Sequence, residues 1–481
     1  MPMSLLLDEA TRAELYARLA AAIEHYQRHG PEGRVSPVLD PEGLRARLEP
    51  FDFARPIAPL AALDFAVTAL TQHQVHTPHP MYYGLYNPAP ATMGVVADAL
   101  VAAWNPQLAS WSHSPLGVEL ELHLLRALGG RFGYDPQTMD GTFTSGGAEA
   151  NHSALLLALT DRFPDFARGG VRALARPPVF YVSAESHHSL LKAARLCGLG
   201  TDAVREVKTD AELRMDPAAL AARIARDRAE GAAPFLVVAT AGTTSAGAVD
   251  PIEAIADIAA AEGLWCHVDA AWGGAAALVP ELRPLVAGAA RADSITFDAH
   301  KWLSVPMAAG MLLTRHRDIL GRTFRVTADY MPRETAELDI VDPYAHSMQW
   351  SRRFIGLKVF LALAVAGWGG YEEVLRHQVA MGDELRRALR ADGWEVVNRT
   401  PLPVVCFVDS TRGASAAYLE ALCRHVVGSG RAWISTARLG AERTPALRAC
   451  ITNYRTEAAH VAALVEALGE ARDRVAEGTK A

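Results

Sequence analysis

Between about residues 94 and 330, short β-rich runs alternate with helical stretches, and this rhythm restricts the fold more than any other feature of the chain. FTSGG (143–147) leads into the helical EANHSALLLAL, and PVFYVS (178–183) precedes a helix near HSLLKAARL. PFLVVATAG (234–242) runs into a Gly/Thr/Ser loop and then the helical PIEAIADIAAAEG. LWCHVDAA (264–271) and SITFDAHK (294–301) read as two further strands. Strands that alternate with helices predict an α/β domain with a mostly parallel central sheet flanked by helices.

The flanking regions differ. Residues 8–28 read as an amphipathic helix, and 30–60, rich in Pro and Gly, as an extended connecting arm. HPMYYGLYNPAPATM (79–93) is aromatic, broken by prolines, and predicts a loop. Beyond about residue 370 a helix is followed by the strands WEVVN, PVVCFVD and RACIT between further helices, a smaller α+β domain. The predicted organisation is an N-terminal arm over 1–93, a large domain over 94–369 and a small C-terminal domain over 370–481.

With 481 residues, half of them hydrophobic and 21% charged, the chain has an ordinary globular balance. A net charge of −7 gives no reason to expect nucleic acid or an anionic membrane as partner. The scattered Cys197, Cys266, Cys406, Cys423 and Cys450 form no CxxC pair. They read as reduced thiols of a cytoplasmic protein, with no zinc ribbon and no metal site. The N-terminal leucine run is too short for a signal peptide. VFLALAVAG (359–367) is too short to span a bilayer and predicts a buried helix.

Ligands of open α/β sheets bind beyond the carboxyl ends of the strands. Five places stand there: TSGGAEAN, Ser186-His187-His188, Gly242-Thr243-Thr244-Ser245, Asp269, and His300-Lys301. Gly146 and Gly147 open a helix whose unpaired first amides can bind phosphate. A carboxylate such as Asp269 can pair with a protonated ring nitrogen. His187 can lie flat on an aromatic ring, and Lys301 can form a Schiff base with a carbonyl compound. Together these are the parts of a pyridoxal phosphate (PLP) site. Singly, each has an ordinary reading. Glycines serve strand–helix turns, the histidines are surface or core residues, Lys301 is a surface lysine, and Asp269 serves a structural ion pair as well as it serves catalysis. The joint order of five polar groups at successive strand ends favours the site.

TSGGAEAN, ESHHSLLKA, ATAGTTSAGAVDP, WCHVDAAWGG, DSITFDAHKWLSVP and SRRFIGLK, with WSHSPLGVELE upstream, resemble the PLP-dependent group II amino-acid decarboxylases. That family includes the aromatic-L-amino-acid, histidine, glutamate and diaminobutyrate enzymes. The resemblance covers roughly residues 70–460. It implies a fold-type I PLP enzyme, a homodimer with its active sites at the subunit interface and the N-terminal arm wrapped on the partner. It implies that Lys301 carries the cofactor, Asp269 pairs with the ring nitrogen and His187 stacks on the ring. Gly147, Ala148 and His300 would contact the phosphate with Asp298 beside them, Thr244 would lie near the ring and the substrate carboxylate, and Ala271 would pack beneath the ring. Tyr330, in FRVTADYMPRE, matches the tyrosine that assists proton delivery to the α-carbon. A tyrosine there, instead of phenylalanine, implies simple decarboxylation to amine and CO2. Two departures bear on the substrate: Ala299 stands where proline is usual, and SVPMAAG replaces an aromatic residue and an aspartate–cysteine pair.

Tyr82, Tyr83, Tyr86, Trp104 and Trp111, with Trp302 beside the lysine, form an aromatic set, of which Tyr82, Tyr83, Trp111 and Trp302 are the candidate substrate contacts. They point to an aromatic or apolar amino-acid substrate. Core or dimer packing is the ordinary reading of each alone. His79 and His113 could serve a polar side chain instead, while the adjacent Arg352 and Arg353 read as salt-bridge formers. Other PLP reactions on this scaffold (aldehyde synthesis, transamination, a carbon–carbon step), decarboxylation of an acidic or aliphatic amino acid, and a non-catalytic relative are the alternatives.

Overall fold

The computed structural model describes residues 5–326 and 340–478. Eleven strands form two sheets among the described residues. The large sheet contains β1 (Asp140–Thr144), β2 (Pro178–Ser183), β3 (Val204–Val207), β4 (Ala233–Thr240), β5 (Trp265–Asp269), β6 (Ser294–Asp298) and β7 (Gly310–Thr314). Their spatial order is β1-β7-β6-β5-β4-β2-β3. The pairs β3–β2–β4–β5–β6 are parallel, and β7 runs antiparallel to both β6 and β1. The mostly parallel sheet expected from the sequence is present. β3 and β7 had not been read as strands.

Both faces of this sheet are covered, so its strands are apolar nearly throughout, as in β4, APFLVVAT. Side chains alternate between the two faces. Tyr181, Val237, Ala239, Val268, Ile295 and Phe297 join the core on one face. Phe180, Val182, Leu236, Val238 and Trp265 join the second core, with Ala150, Ala154 and Leu157 of the helix Gly147–Arg162. The small sheet is antiparallel, in the order β10 (Ser435–Leu439), β11 (Thr444–Cys450), β9 (Val404–Asp409), β8 (Trp394–Val396).

Two expectations need correction. The arm read as extended contains the helix Pro41–Leu48. Its proline sits in the first turn, where no N–H is needed, and Asp40 caps it through the Gly43 amide. The stretch 359–367 is only half buried: Val359 and Ala362 face the core, whereas Val365 is 69% exposed. It lies in the helix Gly356–Ala391, which leaves helical geometry at Gly367, φ 64°. Among the described residues no helix is long and apolar enough to cross a membrane, and no cluster of His, Cys, Asp or Glu could hold a metal ion.

Candidate active site

The carboxyl ends of β4, β5 and β6 and the start of the helix Gly147–Arg162 surround a cavity of about 200 Å³. Gly147, Ala148, His187, Thr244, Asp269, Ala271 and Lys301 line it, which brings together seven residues expected from the sequence. Leu85, Tyr86, Asn87, Asn151 and Trp272 complete much of the wall.

Asp269 ends β5 and is buried. Its Oδ2 accepts from Asn151 Nδ2 at 2.8 Å and its Oδ1 from the Ala271 amide at 3.1 Å. A carboxylate in so apolar a strand needs such donors. Lys301 follows the end of β6, with its Nζ 2.9 Å from Asp298 Oδ2. That same oxygen accepts the Gly147 amide at 3.0 Å. Asp298 therefore ties the lysine to the helix start. His300 is buried beside them and does not line the cavity. Its Nδ1 accepts the Ala309 amide at 3.0 Å, and its Nε2 lies 3.9 Å from Asp298 Oδ2. Burial lowers the His300 pKa, against the pull of Asp298.

His187 is open to the cavity, and its Nδ1 accepts the Ser189 amide at 3.2 Å. Loss of hydration lowers its pKa; Asp269 opposes this and Lys301 adds to it. The ring is therefore disposed to be uncharged. Gly242 turns the chain back after β4 with φ +93°, and a Cβ there would lie 3.0 Å from the Trp272 ring. The turn brings Thr244 to the cavity edge, where its carbonyl accepts the Tyr86 hydroxyl at 2.8 Å. Tyr86 stacks on Trp272, with ring centroids 4.5 Å apart.

Tyr82, Tyr83, Trp111 and Trp302 do not line this cavity. The loop carrying Tyr82 and Tyr83 is drawn into the small domain: the Tyr83 amide donates to the Trp433 carbonyl at 2.8 Å, and the Cys450 amide to Tyr83 at 2.9 Å. Trp302 is fully buried behind Trp272. Trp111 is held away by Asp342 and Glu119. Trp104 is 76% exposed at the end of its helix. His79 is buried, its pKa lowered by burial to about 4. Arg352 pairs with Glu121 at 3.3 Å. Tyr330 lies outside the described residues.

Sequence reading missed Arg448, on β11. Its buried guanidinium donates to the carbonyls of Thr244 (3.0 Å) and Gly84 (2.7 Å) and lies over Tyr86, while its Nη2 has no partner among the described residues. An arginine in the apolar run ALRACIT is the signal that could have found it.

The match to the pyridoxal-dependent decarboxylase conserved domain spans residues 42–409. The chain belongs to the pyridoxal-dependent decarboxylase family. An aromatic-L-amino-acid decarboxylase from Bacillus atrophaeus is 29% identical over 94% of this chain and 93% of its own length. The cysteine sulfinic acid decarboxylase of Rattus norvegicus is 34% identical over 70% of this chain and 69% of its own. The crystal structure of mouse CSAD superposes with a TM-score of 0.90 at 29% identity, covering 97% of this chain and 99% of that one. This decarboxylase is thus a fold-type I, PLP-dependent amino-acid carboxy-lyase.

The residues present suit PLP. The start of a 16-residue helix faces the cavity through Gly147 and Ala148. A Cβ at Gly147 would lie 2.9 Å from Asp298 Oδ2 and 3.1 Å from Ala271 Cβ, filling the cradle. Close packing continues behind it: a Cβ at Gly310 would lie 2.5 Å from Gly146 Cα and 2.7 Å from Asp298 Oδ1. Gly310→Ala is expected to lower stability by about 1–3 kcal/mol through overpacking, read from the urea midpoint. An unchanged midpoint would show that β7 can shift freely.

Proposed function

We propose that this decarboxylase releases CO2 from an L-amino acid with an aromatic or apolar side chain. The observation that carries this reading is the cavity wall. Leu85, Tyr86 and Trp272 line it, and Lys301 is its only Lys or Arg among the described residues. Among the described residues of one chain, an acidic substrate side chain would find no cation lining the cavity other than Lys301 to balance its charge. Arg448, behind Thr244 and Tyr86, supports holding the substrate's carboxylate at that end.

PLP supplies an electron sink conjugated with the substrate's α-carbon. In the proposed arrangement Lys301 would hold the cofactor through its amine and can hold or hand over a proton, with Asp298 as its neighbour. Asp269 would present its carboxylate to the ring nitrogen. His187 would stack on the ring, Ala271 would pack beneath it and Thr244 would lie near both. Gly147 and Ala148 offer amides to the phosphate, with His300 and Asp298 behind them. Tyr330 is proposed to deliver the proton to the α-carbon.

A cytoplasmic homodimer completes the proposal. The arm helices Glu9–His29, Pro41–Leu48 and Pro59–Gln72 contain no buried residue within one chain. Leu6, Val38, Leu39 and Phe53 are each more than 70% exposed. So much apolar surface supports an arm wrapped on a partner. The proposed organisation keeps the arm at 1–93, the large domain at 94–369 and the small domain at 370–481, supported by the helix break at Gly367.

The test is CO2 release from a panel of amino acids. Phenylalanine, tyrosine, tryptophan or DOPA should react, without ammonia or peroxide. Reaction of only cysteine sulfinate, glutamate or diaminobutyrate would contradict the substrate reading. Leu85→Arg should raise the rate with cysteine sulfinate relative to phenylalanine by roughly tenfold or more, the scale of one changed pocket contact. An unchanged ratio would place the side-chain pocket elsewhere.

A further inference from the structure

A line of buried polar side chains lies under the helix Gly147–Arg162 and ends on Asp269. Trp265, His267 and Asp269 occupy alternate positions of β5 and so share one sheet face. On β6, Ser294 pairs in register with His267, and Thr296 with Asp269. All five are at most 5% exposed.

Trp265 Nε1 donates to Ser294 Oγ at 2.9 Å. Ser294 Oγ lies 2.8 Å from His267 Nδ1, and His267 Nε2 lies 3.1 Å from Asn151 Oδ1. Asn151 Nδ2 reaches Asp269 Oδ2 at 2.8 Å and Ser189 Oγ at 3.0 Å. Thr296 Oγ1 donates to Asn151 Oδ1 at 2.8 Å and lies 3.2 Å from His267 Nε2.

With His267 neutral, the Asp269 end sets the protons along the line. An indole N–H can only donate, and a carboxylate can only accept. The Asn151 amide must therefore turn its NH2 to Asp269 and its oxygen to His267. His267 must carry its proton on Nε2, and its Nδ1 must accept from Ser294. Burial lowers the His267 pKa to about 4, so the imidazole is neutral near pH 7 and keeps this tautomer. The relay runs one way, from Trp265 to the Asp269 oxygen.

We propose that His267 and Asn151 are positioning residues. They lock the Asp269 carboxylate in the orientation that meets the cofactor ring. This rests on the reading that Asp269 pairs with the ring nitrogen. A buried network matters as a unit when every member is satisfied, and losing one link leaves polar groups unpaired.

The test uses PLP as probe: its dissociation constant and the visible circular dichroism of the holoenzyme, measured beside the urea midpoint. His267→Phe keeps a ring but removes the N–H. It should weaken PLP binding by roughly tenfold or more, the scale at which outer partners act on a ligand, and diminish the visible dichroism. His267→Gln places an N–H near the position of Nε2 and should recover binding to within about threefold on the same scale. In an Asp269→Ala background, adding His267→Phe should change PLP binding less than about twofold, because the two share one pathway.

Equal losses with Phe and Gln, or the same loss with and without Asp269, would overturn the positioning role. If Asp269→Ala alone leaves PLP binding and dichroism at wild-type values, the reading of Asp269 itself fails. If Asp269→Ala is damaging and His267→Phe harmless, only the relay fails. Should His267→Phe not fold, Ser294→Ala, one link further out, takes its place. A loss that vanishes in the Asp269→Ala background supports the relay, and no loss overturns it.

Discussion

Lys301→Ala is expected to lower CO2 release by about three orders of magnitude, the scale for a residue that both bonds to the reacting system and handles a proton. The protein should still fold. Lys301 is partly exposed to the cavity, and its removal frees Asp298 Oδ2, which keeps the Gly147 amide. The visible band of the lysine-bound cofactor, at roughly 400–430 nm on chemical grounds, should be lost. Stopped-assay CO2 measurement and an absorbance scan check both points on one preparation. Activity within tenfold of wild type would remove Lys301 from the chemistry.

Asp269→Ala is expected to lower kcat by about two to three orders of magnitude, as does loss of one fixed electrostatic partner of developing charge. KM should change far less, because Asp269 is proposed to meet the cofactor ring and not the substrate side chain. The variant also leaves Asn151 Nδ2 with Ser189 Oγ as its remaining acceptor and frees the Ala271 amide. Steady-state kinetics separate the two effects. A rise in KM at unchanged kcat would mean that Asp269 serves substrate binding.

The central sheet was legible because each buried strand is a short apolar run that ends in a polar group. β2 was read at its true bounds, Pro178–Ser183. β3, four residues with Arg205 and Glu206 in the middle, lies at the sheet edge and carries too little apolar pattern to read. β7, GMLLT, follows the irregular SVPMAAG and runs against its neighbours, so the strand–helix rhythm gave no place for it. The helix Pro41–Leu48 is hard to see in sequence because proline breaks helices in their interior, whereas at a first turn it starts one.

The seven expected residues that line the cavity stand at or just beyond strand ends or at the start of the helix Gly147–Arg162, where ligands of open α/β sheets bind. The aromatic contacts were harder. HPMYYGLYNP has no period, so sequence gave no direction to its side chains. Tyr82 and Tyr83 turn into the protein, and Leu85, Tyr86 and Asn87 face the cavity. Asn151 stood within TSGGAEAN. Its link to Asp269, 118 residues away, exists only once β5 and the helix are packed together.

The most direct measurement reduces the PLP-loaded enzyme with borohydride and maps the pyridoxylated peptide by mass spectrometry. The chain has few lysines: Lys192, Lys208, Lys301, Lys358 and Lys480. The label is expected on Lys301, in the peptide containing FDAHKWLS. A label on Lys192, Lys208 or Lys358 instead, with Lys301 unmodified, would contradict the site described here.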